Sequence, residues 1–224
     1  MATMHTTAPL SSAATPQQAR AQQTRAAVLE AAAASLGEKG IAGASTSAIA
    51  ARAGVSQGAV FRYFPTKDAL LSEAVAHVLA ELAERFATSW SSPAPASEGG
   101  VLRAGVGLLW EIFTDARLYG VFEVFLAART NPELGARLSP IIEAHARAEL
   151  AIARALFPRA ARENARFDDI VRSVLTMLQG AAIASAAQGG AGDAPLELRF
   201  IEELIRAELG EPEINAEGEE GSHG

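Results

Sequence analysis

The 224-residue chain contains no cysteine. That excludes a disulfide framework, thiolate zinc ligation, an iron–sulfur cluster and a cysteine nucleophile. Histidine is scarce: His5, His77, His145 and His223 show no metal-ligand spacing, and two lie near the ends. The expectation is no metal and no cofactor. There is no HExxH, no nucleophile–histidine–acid signature and no phosphate-binding glycine loop, so no catalytic residue is expected. Gly37-Glu38-Lys39-Gly40 and Gly189-Gly190 read as loop and cap glycines. The longest weakly polar run, Val174 to Ala187, is too short to span a bilayer. No basic residue precedes Arg20 and no apolar core lies before it, unlike a secretory signal. A cytoplasmic protein without a membrane partner is expected.

Charge is unevenly spread. Residues 1–17 carry none, residues 18–67 carry six basic against two acidic side chains, and the remainder carries 13 against 24. A basic module on an acidic body follows, although the net charge is −7. Hydrophobic residues make up 49% of the chain, enough for a packed core. Between polar ends, nearly every segment repeats at helical period and none alternates as a strand. The expected fold is all-α, with about nine helices. The expected divisions are a disordered tail over 1–17, a basic helical domain over 18–66, a larger helical domain over 67–210 and a disordered acidic tail over 211–224. The first helix is expected over Gln18 to Glu38, ended by the Gly37 and Gly40 region. Thr66 is the expected cap of a helix running through Phe86, and Pro140 is expected to kink or interrupt a helix over 132–157.

Residues 46–63, TSAIAARAGVSQGAVFRY, carry the most specific pattern. Ile49, Val55 and Val60 can lock two short helices together, Ala50 permits their close crossing, and Gly54 suits a left-handed turn. Ser56 can cap the second helix. This is a helix-turn-helix pattern, although a plain helical hairpin has similar spacing. The short second helix can enter a major groove by its N-terminal end. Gln57 can bond a base edge, while Gly58 and Ala59 leave room for close approach. Tyr63 and Lys67 flank it as phosphate ligands, and Thr46 offers a hydroxyl to another phosphate. Arg62 reads either as a contact or as a solvated charge. Phe64 and Phe61 read more readily as packing, Arg52 as a phosphate neighbour or surface charge, and His77 as packing or surface.

The stretch Ala33 to Leu71, AASLGEKGIAGASTSAIAARAGVSQGAVFRYFPTKDALL, resembles the N-terminal domain of TetR-family transcriptional regulators. The resemblance covers Arg25 to Val75 and is closest over AGVSQGAVFRYFPTKDALL. It implies a three-helix DNA-binding domain, followed by a helical ligand-binding and dimerisation domain. It implies a homodimeric repressor that grips a palindromic operator and releases it when a small-molecule effector binds. Residue by residue it implies DNA contacts at Thr46, Ser56, Gln57, Gly58, Phe61, Arg62, Tyr63 and Lys67. Two positions depart from the family pattern: Phe61 stands where tyrosine is usual, losing a phenol, and Arg62 where histidine is frequent, adding a fixed charge.

In the acidic body the resemblance is loose. Trp110 and Phe113, and Tyr119, Phe122 and Leu126, share helix faces and can line a ligand cavity or form an ordinary core. Met177 joins this candidate set. Glu111 and Glu123 lie near these faces and read more readily as solvated surface charges; an inward carboxylate would favour a cationic or hydrogen-bond-donating ligand. Val171, Val174, Leu178 and Ala181, with Phe200, Ile201 and Leu204, form two stripes that can pair with a second copy as a four-helix interface or be used within the subunit. The alternatives are a DNA-binding regulator without a ligand, and a helical carrier or enzyme.

Overall fold

The computed structural model describes residues 15–91, 100–189 and 196–212. These form ten α-helices and no strand. The tails expected over 1–17 and 211–224 lie outside the described residues, except 15–17 and 211–212. Within that short overlap Pro16 and Gln17 are already helical.

Helix α1 spans Pro16–Gly43 and starts two residues earlier than its apolar pattern. A capping box explains this: Gln18 N donates to Thr15 Oγ1 at 3.3 Å and Thr15 N to Gln18 Oε1 at 2.8 Å. Gly40, at φ 64°, kinks its end rather than stopping it. Helices α2 (Thr46–Arg52) and α3 (Gln57–Tyr63) follow, then α4 (Lys67–Ser91). Ile49, Val60 and Phe64 are buried against Val28, Leu29, Leu36, Leu70 and Val75, so four helices share one core. Each such apolar side chain contributes about 1.5–3 kcal/mol by leaving water.

The second part contains α5 (Gly100–Phe113), α6 (Ala116–Ala128), α7 (Pro132–Leu156), α8 (Pro158–Glu163), α9 (Phe167–Ala187) and α10 (Leu196–Leu209). The short α8 is the helix that periodicity passed over, because six residues are too few to show a period. Helix α7 runs through Pro140 unbroken. It is started by Asn131, whose Oδ1 accepts from Leu134 N at 3.1 Å while Nδ2 donates to Asp68 at 2.9 Å.

The two parts are joined by contact as well as by chain. Helix α4 contributes Leu70 and Val75 to the first part and Leu82 and Phe86 to the second. Helices α1 and α6 cross at glycines. A Cβ on Gly120 would sit 2.7 Å from Leu36 Cβ, and one on Gly37 3.1 Å from Arg117 N. The backbones approach this closely only because side chains are missing there. Asp115 caps α6 through Arg117 N at 2.9 Å. Burial pushes its pKa up, but hydrogen bonds from Arg117 and the charges of Arg117 and Arg85 outweigh that and hold its carboxyl below the ordinary aspartate value.

The run Val174 to Ala187 lies within α9, which has 21 residues and is long and apolar enough by length and composition to cross a membrane. Counting only the run underestimated it. The helix nevertheless carries Asp168, Asp169 and Arg172 near its start and sends Phe167, Ile170, Val174 and Leu178 into the core. It is an amphipathic helix packed against α5 and α10.

Candidate nucleic-acid interface

The turn between α2 and α3 is built from the residues the pattern requires. Gly54 has φ 68°, a left-handed conformation. Val55 N donates to Ala50 O at 3.0 Å and locks the turn. Ser45 caps α2 by accepting from Ala48 N at 3.2 Å, which makes Thr46 the first helical residue, half-buried. Ser56 caps α3 by accepting from Ala59 N at 3.1 Å. Ile49 and Val60 are fully buried between the helices, Ala50 is 3% exposed, and Val55 is half-buried.

With that inner face consumed by packing, α3 turns its other face outward. Ser56, Gln57, Gly58, Phe61 and Arg62 are exposed, as is Lys67 at the start of α4, while Ala59 and Tyr63 are half-buried. The two phenylalanines part company: Phe64 is 1% exposed in the core, but Phe61 is 43% exposed, contrary to its reading as packing. Helical spacing places Phe61 one turn from Gln57 and Gly58, on the outward side.

Electrostatics single out the same face. Arg25 pairs with Glu73, and Arg52 makes a two-pronged pair with Glu38 at 2.6 and 2.7 Å. Hydrogen bonding from Arg52 pulls the Glu38 carboxyl below its usual value. Arg52 is thus engaged within the domain, at its α1 side. Arg62 and Lys67 have no carboxylate partner among the described residues. Arg62 Nη2 instead donates to Tyr63 Oη at 2.8 Å, with the guanidinium 4.9 Å from the ring centre. Two unneutralised cations, a phenol and a free amide on one short helix and its flank form a surface suited to phosphates and base edges.

The second feature is a cavity of about 430 Å³ walled by α4, α5, α6, α7, α9 and α10. Phe113 and Phe122 line it, with Leu79, Phe86, Phe125 and Val171. The other residues expected there do not. Tyr119 donates its hydroxyl to Ala182 O at 3.3 Å, and Leu126 is 69% exposed. Trp110 and Met177 are half-buried against the core, outside the cavity. Glu111 is exposed. Glu123 faces α1, where its Oε2 accepts from Ile41 N at 2.7 Å beside the Gly40 kink. Periodicity put it near the Phe122 face of α6, but its partner lies on α1 and not in the cavity. The polar cavity residues His145, Glu149, Arg172, Thr176 and Gln179 were missed, because charged positions on α7 and α9 resemble a solvated face.

The two stripes on α9 and α10 divide. Val171 and Val174 line the cavity, and Leu178 and Ile201 are fully buried within the subunit, so these four are unavailable to a partner. Ala181 and Leu204 are half-buried, while Phe200 is 59% exposed and Ile183 45%. A three-member group was also not foreseen: His77 Nε2 lies 3.2 Å from Glu30 and 3.6 Å from Glu81, with ligating atoms within 4.8 Å of one another. Arg117, 2.8 Å from Glu81, supplies positive charge there, and the group reads as an ion-pair network linking α1, α4 and α6.

Residues 28–74 match the family described as bacterial regulatory proteins, tetR family. An uncharacterised helix-turn-helix-type transcriptional regulator of Mycobacterium tuberculosis is 32% identical over 167 residues, covering 75% of this chain and 85% of that one. The crystal structure of the multidrug binding protein EbrR complexed with ethidium superposes with a TM-score of 0.60 at 23% identity, covering 83% of this chain and 98% of that one. A member of the TetR family from Streptomyces coelicolor A3 gives 0.58 at 22%, with coverages of 83% and 98%. These structural likenesses concern the fold. The motif, the family match and the relative's identity over most of both chains lead to one conclusion: the chain belongs to the TetR family, a transcriptional regulator with a helix-turn-helix DNA-binding domain.

Proposed function

We propose that the protein is a cytoplasmic homodimeric repressor that binds a palindromic operator and releases it when a small molecule enters the cavity. Residues 18–66 serve as the DNA-binding domain and 67–210 as the effector-binding and dimerisation domain. In this reading Gln57, Gly58 and Ala59 meet base edges, with Phe61 beside them. Thr46, Ser56, Arg62, Tyr63 and Lys67 hold phosphates.

The observation that carries the reading is the course of α4. It begins at Lys67, beside the recognition helix, and ends at the cavity wall with Leu79, Leu82 and Phe86. A ligand that binds better when these side chains move apart shifts α4, and with it the recognition helix. Glu123 offers a second link, from the cavity helix α6 to the end of α1. Effector and DNA then weaken each other by the same factor.

Dimerisation is supported by the outer face of α9. Only 22% of its apolar stretch is buried within the protomer, and Ile183 on α9 and Phe200 on α10 are large apolar side chains left in water. Pairing of these helices with a second copy spaces two recognition helices for half-sites about 34 Å apart. Selection of bound sequences from a random duplex pool tests the reading. Inverted half-sites separated by about one helical turn are expected; direct repeats or single half-sites refute the dimer geometry. Ala146→Trp, which fills the cavity from α7, is expected to keep DNA binding and lose every ligand response. Retained responses remove the cavity from the mechanism.

A further inference from the structure

The cavity is apolar but not uniformly so. From α4, α5, α6 and α10 only hydrophobic side chains reach it. All of its polar residues come from two helices: His145 and Glu149 from α7, and Arg172, Thr176 and Gln179 from α9. The cavity therefore has an apolar end and one polar wall. A ligand that satisfies both ends carries a hydrophobic body and a single polar head.

The charges on that wall decide the sign of the head. Glu149 already has a partner, His145 Nε2 at 3.2 Å one turn away on the same helix. Asp168, one turn before Arg172, is held through both oxygens by Arg154 at 2.7 and 2.8 Å. Thr176 spends its hydroxyl proton on Arg172 O at 2.8 Å. Arg172 itself makes no ion pair or side-chain hydrogen bond among the described residues. Among the described residues Arg172 is the charged cavity residue that has neither an ion-pair nor a side-chain hydrogen-bond partner, and its charge is positive. The two acids whose inward turn would have favoured a cation, Glu111 and Glu123, are respectively exposed and bonded to Ile41 N.

We propose that the cavity selects an apolar monocarboxylate, with its hydrocarbon among Phe86, Phe113 and Phe122 and its carboxylate on the Arg172 guanidinium. This rests on reading the cavity as the effector site and adds the chemical class of its occupant. A planar guanidinium matches a carboxylate by two parallel hydrogen bonds, a geometry that an alcohol or amine head does not reproduce. The apolar part provides affinity without strong shape selectivity, so affinity should climb with chain length until the cavity is full. The expected gain is about fourfold per added methylene.

The test is calorimetric titration of the full-length protein with octanoate, decanoate and dodecanoate, and with decanol and decylamine as matched heads, all below their micelle concentrations. Ethidium, named in the complex of a structurally similar protein, serves as the cationic aromatic probe. Expected are carboxylate binding that rises with length, and a decanoate affinity about tenfold above decanol and decylamine. Arg172→Gln should remove that head-group preference while leaving decanol affinity unchanged, a comparison that also reports an intact cavity. Tighter binding of decylamine or ethidium than of decanoate, no binding at any chain length, or an unchanged preference in Arg172→Gln overturns the proposal. Release of a labelled operator duplex is followed separately by anisotropy. Carboxylates that bind without releasing DNA refute the effector reading and leave the ligand class standing. Release by cations alone refutes the ligand class and leaves the effector reading standing.

Discussion

Replacing Gly120 with alanine probes the joint between the DNA-binding domain and the rest of the subunit. The added Cβ would lie 2.7 Å from Leu36 Cβ and 2.8 Å from the Leu36 carbonyl carbon and oxygen. Non-bonded carbons prefer about 3.5–4.0 Å, so α1 and α6 must separate by about 1 Å. Two of those three atoms are backbone, and no side-chain rotation relieves the clash. Overpacking of this kind costs about 1–3 kcal/mol. Alanine's better helix propensity offsets about 1 kcal/mol. Gly107→Ala in α5 is the control, because nothing lies within 4 Å of its added Cβ and only the propensity gain remains. The two variants should differ by about 1–3 kcal/mol, with Gly120→Ala the less stable. At about 2–4 °C per kcal/mol for a domain of this size, the midpoints should separate by several degrees. Thermal melts by circular dichroism at matched protein concentration measure this, since association would shift both. A Gly120→Ala melting point equal to or above that of Gly107→Ala refutes the close helix crossing.

Four further outcomes are expected. Gln57→Ala should flatten base preference with little change in melting temperature, read from selected operator sequences; an unchanged ranking removes Gln57 from the readout. Lys67→Ala should weaken binding to all duplexes alike and reduce the slope of log affinity against log salt by about 1, whereas a base-selective loss contradicts a phosphate role. Asp115→Asn keeps a good helix cap but loses the ion pairs to Arg117 and Arg85, and should cost about 1 kcal/mol at neutral pH. Because the folded-state value of Asp115 is depressed, its contribution is present above the ordinary aspartate value of about 3.9 and disappears as pH falls through the lowered one. The wild-type and Asp115→Asn melting curves should therefore converge in acid; a gap that persists at the lowest pH tested contradicts this. Phe200→Glu should convert a dimer to monomer in sedimentation velocity, and an unchanged mass moves the interface elsewhere.

The helix-turn-helix was legible in the chain because its constraints are local. Gly54 takes a left-handed turn, Ser56 caps the helix that follows it, and Ile49 and Val60 sit at separations that a tight two-helix hairpin buries together. The helical class followed from periodicity for the same reason, whereas the capping box at Thr15 and Gln18, equally local, was passed over because Thr15 was assigned to the polar tail. What depended on neighbours distant in sequence was not readable. Phe61 and Phe64 are alike in type and three positions apart, yet one is exposed and the other buried, because only the approach of α1 and α4 decides which side is inside. Glu123 turns toward Ile41, not into the cavity, through a contact 82 residues away. Val171, Val174, Leu178 and Ile201 belong to apolar stripes whose period says that they are buried but not against what. Periodicity specifies a face, and the packing of distant helices chooses what that face meets. The sequence alone therefore determined the DNA-reading element, while the cavity, its charged wall and the joint between α1 and α6 came into being only when the helices were assembled.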